Sequence, residues 1–351
     1  MAYILGIETS CDESSASVVN LDSVNAKTHI LSLKTFSQVE LHIPYGGVVP
    51  EVSSRSHLET LPFVVEQALQ EARISVADLT HIAVTTQPGL IGSLMVGVSF
   101  AKSLAYALRI PLIPVHHLMG HIASLWINRS ESDLPLPMLV LLVSGGHTML
   151  LHVTTPPSQW SQNELGQMLL GQSKDDAAGE AFDKIGKLLG FNYPAGAMMD
   201  QYGSAGDRLA YTFPKPMKND HTYEFSFSGL KTAAKQRLDQ IRKTQELDDK
   251  LLKDFSASFQ EAIIDALYAP LMRAIVDINP KSLGIVGGVS ANSRLRARLN
   301  ELSIPCVMPE LKYCSDNAAM IATLGAYHAL SKQPHALGKE EALKLHAKAH
   351  L

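Results

Sequence analysis

The chain has 351 residues, 46% hydrophobic and 18% charged, the balance of a globular protein of one large domain or two lobes. A formal net charge of −4 excludes nucleic-acid binding by bulk charge, so any such surface has to be a local basic patch. Three cysteines, Cys11, Cys306 and Cys314, are too few for a disulfide scaffold and suit a reducing, cytoplasmic setting.

Residues 3 to 19 read as apolar strand, small polar turn and apolar strand, a hairpin whose turn runs through Ser10-Cys11-Asp12-Glu13. With no basic region, long apolar core or cleavage pattern, the start reads as a first strand and not as a signal peptide. No apolar run is expected to reach the roughly 18 residues that a membrane helix needs. Gln38 to Pro50 is loop-like, around Tyr45-Gly46-Gly47. An amphipathic helix is expected from about Ser54 to Ala72, with Leu58, Leu61, Val65 and Leu69 on one stripe. A strand at His81 to Thr85 leads into Pro88-Gly89-Leu90-Ile91-Gly92-Ser93, a glycine turn at a helix start where backbone donors can meet an anion. The helix from Ser93 to Leu108 is apolar nearly all round apart from Lys102, which predicts burial on both sides. A helix that is half core and half partner surface is the alternative.

A second lobe is expected to open near Pro114. There, in His116-His117-Leu118-Met119-Gly120-His121, His117 and His121 stand four residues apart. On a helix that spacing stacks two imidazoles on one face, an arrangement that suits a transition metal. The zinc-peptidase helix carries a Glu directly after its first His as general base; Leu118 stands there, so a peptidase would lack its base. In a chain with 14 His, a chance pair is also an ordinary outcome. A metal needs a third ligand, and Asp316 in Cys314-Ser315-Asp316-Asn317 is the candidate. On spacing alone, Ser315 or Asp316 reads as the N-cap of the Ala-rich helix that follows.

Residues 138 to 151 repeat the opening pattern, with Ser144-Gly145-Gly146-His147 as the turn. The repeat predicts two related lobes, and turns with inward backbone N–H groups can hold phosphate oxygens. Two ordinary hairpins would give the same pattern. Leu170 to Gly190 reads as one capped helix, acidic at its start, with Asp176, Glu180 and Asp183 on what is ordinarily a solvated face. Residues 211 to 229 are irregular and interleave Lys215, Lys218, His221, Phe225 and Phe227, which suits a looped nucleic acid or plain surface packing. A charged, solvent-facing helix is expected from Leu230 to about Asp254. Leu283 to Arg296 reads as strand, Gly287-Gly288 turn and helix, open to close approach by a flat ligand or phosphate; Asn292 either binds that ligand or caps the helix.

Together these segments resemble the bacterial TsaD family of tRNA N6-adenosine threonylcarbamoyltransferases, once called glycoproteases. The resemblance runs from Tyr3 to about His328. It rests on Gly-Ile-Glu-Thr-Ser-Cys-Asp-Glu (6–13), Tyr-Gly-Gly-Val-Val-Pro-Glu (45–51), Pro-Gly-Leu-Ile-Gly-Ser-Leu (88–94), His-His-Leu-Met-Gly-His (116–121) and Leu-Val-Ser-Gly-Gly-His-Thr (142–148). It continues through Asp-Asp-Ala-Ala-Gly-Glu-Ala-Phe-Asp-Lys (175–184), Phe-Ser-Phe-Ser-Gly-Leu-Lys (225–231), Gly-Gly-Val-Ser-Ala-Asn (287–292) and Cys-Ser-Asp-Asn-Ala-Ala-Met-Ile (314–321).

The resemblance implies an α/β, two-lobed actin-like ATPase (ASKHA) fold, with duplicated ribonuclease-H-like lobes around a central cleft. The N-terminal lobe would be 1–113, joined by a C-terminal helix at 325–351, and the C-terminal lobe 114–324 would carry the metal and nucleotide motifs. His117, His121 and Asp316 would hold one divalent metal, Fe(II) favoured and Zn(II) equally suited by the donors. Leu142, Val143, Ser144, Gly145 and Gly146 would surround the adenylate, with Asp183, Gly196, Asp200 and Asn292 as further substrate-binding positions. The implied reaction moves a threonylcarbamoyl group from threonylcarbamoyl-AMP to N6 of the adenosine 3′ of the anticodon, in tRNAs reading codons that start with adenine. Asp12 or Glu13 is then the candidate to take the proton from the amine.

Implied partners are tRNA, a TsaB-like paralogue, a TsaE-like ATPase and a TsaC-type synthase that makes the adenylate, with no membrane; the apolar helix 93–108 is where the paralogue is expected to dock. Lys215, Lys218, Lys231, Lys235, Arg237, Arg294 and Arg298 could form the basic track for tRNA. Two positions depart from the family pattern: Ala195 stands where a second glycine is usual, and Lys339 to Leu351 lacks the usual basic, aromatic ending. A sugar-kinase-like phosphotransferase of the same fold would give no reason for the His pair with Asp316. A metallopeptidase lacks its Glu, and an inactive scaffold is disfavoured by the intact glycine loops.

Overall fold

A computed structural model describes residues 2–161, 164–217, 221–331 and 335–350. The strands are β1 Ala2–Glu8, β2 Glu13–Asp22, β3 Lys27–Ser37, β4 His81–Gln87, β5 Leu112–His116, β6 Met138–Val143, β7 Thr148–Val153, β8 Leu169–Gln172, β9 Ser282–Val286 and β10 Cys306–Val307. The helices are α1 Val39–His42, α2 Pro50–Ala72, α3 Ile91–Leu108, α4 His117–Ala123, α5 Glu164–Met168, α6 Ala178–Leu189, α7 Ala195–Gly203, α8 Ser228–Ile241, α9 Asp249–Ile278, α10 Ser293–Asn300, α11 Ala318–Leu330 and α12 Lys339–Leu343.

The chain forms two compact units. One comprises Met1–Pro135, Thr154–Gln167 and Pro309–Leu351; the other comprises Leu136–Val153 and Met168–Met308. The division expected at 113/114 falls inside β5. That strand is hydrogen-bonded to β4, which keeps it and the following α4 in the first unit. Residues 309–324, expected with the second lobe, also belong to the first, because α11 packs across β1, β2 and β4.

The first sheet has the order β3-β2-β1-β4-β5. β1 is antiparallel to β2 and parallel to β4, and β4 is parallel to β5. Every residue from Ile4 to Glu8 is buried, as expected of a parallel strand covered on both faces. Leu5 and Ile7 join Leu61, Val65 and Ala68 of α2 and Val98 and Ala101 of α3 in one apolar cluster. α2 starts at Pro50 rather than Ser54; proline is well suited to the first helical position because its missing N–H would have no partner there.

By length and composition α3 passes for a membrane span, which corrects the expectation that no run is long enough. It packs against α2 and β4. Ser93, Leu94, Gly97, Val98, Ala101 and Ala105 are buried, while Ile91, Met95 and Tyr106 are exposed. Burial on both sides is therefore overturned: one face is core and the other is open.

The second sheet has the order β10-β9-β6-β7-β8, so β6 to β10 repeat the positions of β1 to β5 one for one. The expected hairpin repeat is the visible part of a whole-sheet duplication. The single helix expected over 170–190 is a strand followed by a helix: β8 pairs with β7, and α6 begins only at Ala178 and ends on Gly190 at φ 92. The charged stretch after Leu230 is likewise two helices, α8 and α9, the second capped by the Asp248 carboxylate accepting from Leu251 N at 2.7 Å. Leu230, Ala234, Leu238 and Ile241 are buried, so α8 is half core and not solvent-facing. Its charged residues mask an apolar stripe at helical spacing.

Candidate functional site

The metal-ligating candidates converge through backbone placement. β1, β4 and β5 are parallel, so Glu8, Gln87 and His116 end them on one edge of the sheet, the carboxyl edge where α/β folds bind ligands. α4 starts directly after β5 and buries all seven of its residues, including His117 and His121. A Cβ at Gly120 would lie 2.8 Å from Ile321 Cδ1, so the absence of a side chain there lets α4 settle on α11. The N-cap of α11 is Asn317, whose Oδ1 accepts from Met320 N at 3.2 Å. Neither Ser315 nor Asp316 is the cap, and the Asp316 carboxylate is released toward the imidazoles.

Asp316 Oδ1 lies 3.0 Å from His121 Nε2 and 3.5 Å from His117 Nε2. The three candidate donor atoms all lie within 4.8 Å of one another. The imidazole rings stand 4.7 Å apart at 80°.

Glu8 completes this arrangement and was missed by the sequence reading. His117 Nδ1 lies 3.0 Å from Glu8 Oε2 and 3.2 Å from Ser10 Oγ. Glu8 also accepts from Ser10 N at 2.5 Å and Thr85 Oγ1 at 2.6 Å. Burial works against charge at all three ionised groups. Nevertheless Asp316 and Glu8 push the His117 imidazole well above its usual range. His117 in turn keeps Glu8 below the usual carboxylate range, and the two imidazoles keep Asp316 well below it. A cage that favours positive charge in this way, with a carboxylate orienting one imidazole from behind, fits a divalent cation. The available sequence signal was a lone carboxylate closing an apolar strand.

Asp12 lies on the turn from β1 into β2 and is buried; Glu13 is the first residue of β2 and half-buried. Burial and the negative charges of Asp316 and Asp12 push the Glu13 carboxyl well above its usual range.

The glycine loop lies in the second unit. Ser144 N donates to His147 O at 2.8 Å and is spent inside the β6–β7 turn, so the donors expected from Ser144-Gly145-Gly146 reduce to Gly145 and Gly146. Both glycines are exposed, and a Cβ on either would meet nothing within 4 Å. The Leu142 and Val143 side chains are buried and can offer a ligand only backbone. Gly287 has φ +89, and a Cβ there would sit 2.5 Å from Val143 O, so a side chain is excluded where this turn meets β6.

Asp183, Gly196, Asp200 and Asn292 are tied together by contacts across α6, α7 and α10. Asp183 Oδ1 accepts from Ala195 N at 2.9 Å and Gly196 N at 3.2 Å. Asp200 accepts from Ser293 N at 2.9 Å and Ser293 Oγ at 2.8 Å. Asn292 caps α10 through Leu295 N at 2.9 Å and donates to Gln260 Oε1 at 2.7 Å. The Ala195 methyl is accommodated by Gly186, where a Cβ would lie 2.3 Å from it.

Much of the expected basic track is charge-compensated. Arg294 pairs with Glu261 at 2.7 Å, Arg298 with Asp265 at 2.5 Å and Lys215 with Asp265 at 3.4 Å, while Lys231 contacts Asp176. The shared face of Arg294 and Arg298 is occupied by carboxylates of α9. Lys235 and Arg237 are exposed, and Lys218 lies outside the described residues.

The family model of TsaD, tRNA N6-adenosine threonylcarbamoyltransferase, matches residues 29–323. The chain belongs to the TsaD family. A tRNA N6-adenosine threonylcarbamoyltransferase of Fervidobacterium nodosum is 43% identical over 325 residues, covering 92% of each chain. One from Geotalea uraniireducens is 44% identical over 331 residues, covering 93% of this chain and 91% of that one. Among solved structures, HypF of T. kodakarensis matches with TM-score 0.57 and 13% identity over 95% of this chain and 49% of its own. Component A of (R)-2-hydroxyglutaryl-CoA dehydratase from Acidaminococcus fermentans matches with TM-score 0.52 and 14% identity, over 98% of this chain and 100% of its own. At those identities the likeness is of fold alone, and it agrees with the two-lobed actin-like class. This TsaD-family chain is therefore a transferase that modifies tRNA by threonylcarbamoyl transfer to adenosine.

Proposed function

We propose that the donor is threonylcarbamoyl-AMP, that the acceptor is the N6 amine of the adenosine 3′ of the anticodon, in tRNAs reading codons that start with adenine, and that His117, His121 and Asp316 form the centre of the reaction. The observation that carries this reading is the convergence of His117 Nε2 and His121 Nε2 on Asp316 Oδ1, backed by Glu8 at His117 Nδ1. Such a set would hold one divalent metal, Fe(II) by family resemblance, which when bound supplies a Lewis acid for the polarised carbonyl. Glu8 fixes the orientation and proton of His117. The exocyclic amine is a weak nucleophile, and Glu13 or Asp12 takes its proton as N6 bonds to the carbamoyl carbon, the anhydride C–O bond breaks and AMP leaves; a raised carboxyl is the better matched base. Gly145 and Gly146 N–H groups receive phosphate or acyl oxygens, and Asp183, Asp200 and Asn292 hold the ribose and adenine.

In this reading the exposed apolar side chains Leu58 and Phe63 of α2 and Met95 and Tyr106 of α3 dock a TsaB-like paralogue. A TsaE-like ATPase joins the pair, and a TsaC-type synthase supplies the adenylate. The sparse set of three cysteines, Cys11, Cys306 and Cys314, suits a reducing cytoplasm.

The test is nucleoside mass spectrometry on tRNA from cells depleted of their own enzyme and supplied with this chain or its His117→Ala/His121→Ala variant. Restoration of threonylcarbamoyladenosine by the first and not by the second is expected. Restoration by both would make the His pair structural and sink the metal-centred reading.

A further inference from the structure

The turn that carries Asp12 and leads into Glu13 at the start of β2 is fastened by residues outside it. Ser10 O accepts from Leu90 N at 2.8 Å, and Asp12 O accepts from Gln38 N at 2.9 Å. The carbonyl between them, Cys11 O, accepts from His57 Nε2 at 2.9 Å and from the Ser53 hydroxyl. His57 lies on α2 and is fully buried. Its other nitrogen, Nδ1, lies 2.7 Å from Ser14 Oγ and 3.2 Å from Gln38 Nε2, while Ser53 Oγ lies 3.2 Å from Nε2.

These partners fix the tautomer. A carbonyl can only accept, so the proton sits on Nε2, and Nδ1 is left to accept from the Ser14 hydroxyl or the Gln38 amide. Burial holds the imidazole pKa below its usual value, which keeps the ring neutral and this assignment stable near neutral pH. One rigid ring therefore bonds to Cys11 and to Ser14, the residues immediately before and after the Asp12-Glu13 pair.

We propose that His57, as its Nε2–H tautomer, is a positioning residue for the transfer reaction, setting the direction of the Asp12 and Glu13 carboxylates by clamping the chain on both sides of them. The inference rests on the reading of those carboxylates as proton acceptors. His57 itself takes no part in the chemistry: both its nitrogens are committed to the turn and to β2.

The test uses the full chain reconstituted with its partner proteins and assays transfer from threonylcarbamoyl-AMP to tRNA. His57→Phe keeps a ring of similar size and removes both bonds; His57→Gln keeps a donor and an acceptor. His57→Phe is expected to lower kcat about tenfold to a hundredfold, the order of loss that small misplacements of reacting groups produce. KM for both substrates and metal affinity should stay within about twofold, and His57→Gln should recover most of the rate. An unchanged kcat in folded His57→Phe overturns the inference, as does a His57→Gln variant no better than His57→Phe. If His57→Phe does not fold, the Ser14→Ala/Gln38→Leu double variant decides, since it strips Nδ1 of both its partners and leaves the Nε2 bond to Cys11 O in place: a lower kcat at unchanged KM upholds the inference, and an unchanged kcat overturns it. Asp12→Asn and Glu13→Gln separate the two levels. If either is slow while His57→Phe is not, the positioning role alone fails. If both keep full rate, the reading of the carboxylates fails and the inference falls with it.

Discussion

Glu8→Gln probes the metal centre without touching a candidate ligand. Three donors converge on the Glu8 carboxylate: Ser10 N on Oε1, and Thr85 Oγ1 and His117 Nδ1 on Oε2. A glutamine is the same size but has one acceptor oxygen. If that oxygen faces His117, the new amide N–H meets the Ser10 N–H; if it faces Ser10, the amide meets His117. Either way one buried donor opposes another, and the charge that orients His117 is gone. Hydrogen bonds to charged groups contribute about 1.5–3 kcal/mol, or a factor of roughly 10 to 100 in an equilibrium constant. Loss of a partner behind a ligating histidine commonly costs about the same factor in metal affinity. The expected outcome is a folded variant whose Kd for Fe(II) or Zn(II), measured by calorimetry under anaerobic conditions, rises about 10- to 100-fold. Unchanged metal affinity in a folded Glu8→Gln protein would refute the claim that Glu8 orients a ligand.

Other outcomes follow from the same geometry. Asn317→Ala removes the cap of α11 and should cost about 1 kcal/mol in urea unfolding; it should also weaken metal binding, because Asn317 Nδ2 holds Ser315 O at 2.7 Å beside Asp316. Gly287→Ala forces a side chain into positive φ and against Val143 O, and should lower stability by roughly 1–3 kcal/mol while leaving metal affinity in the other unit unchanged. Burial and the stacked His335 push His328 down to about 3. The unfolded chain binds this proton near 6.5 and the folded chain does not, so stability is full above about pH 6.5 and falls as pH drops from there toward 3, by up to about 1.4 kcal/mol per unit. His328→Leu should flatten the fall in melting temperature between about pH 7 and 5; an unaltered slope would count against the assignment. Lys235→Ala should weaken tRNA binding and reduce its salt dependence by about one unit of slope, whereas Arg294→Ala, already paired with Glu261, should act on stability first.

Local features are legible in the amino-acid sequence. Apolar runs interrupted by small polar turns mark β1, β2, β6 and β7, and their repetition is the local trace of the duplicated sheet. The His117–His121 spacing placed two imidazoles on one short helix, and the ordered motifs identified the family. Element boundaries that depend on pairing were not legible: β8 reads like the start of α6 until β7 is beside it, and the stripe of α8 is hidden among its charges. Tertiary structure alone decided the chemistry of the site. By sequence Asp316 suits either a cap or a ligand; in the fold Asn317 caps α11, and Asp316 meets His121 across 195 residues of chain. Glu8 reaches His117 across 109 residues, and Arg294 finds Glu261 on another helix. Local backbone preference is written in neighbouring side chains. Which charges cancel, which carboxylate orients a ligand and which face of α3 stays open depend on residues that only the folded chain brings together.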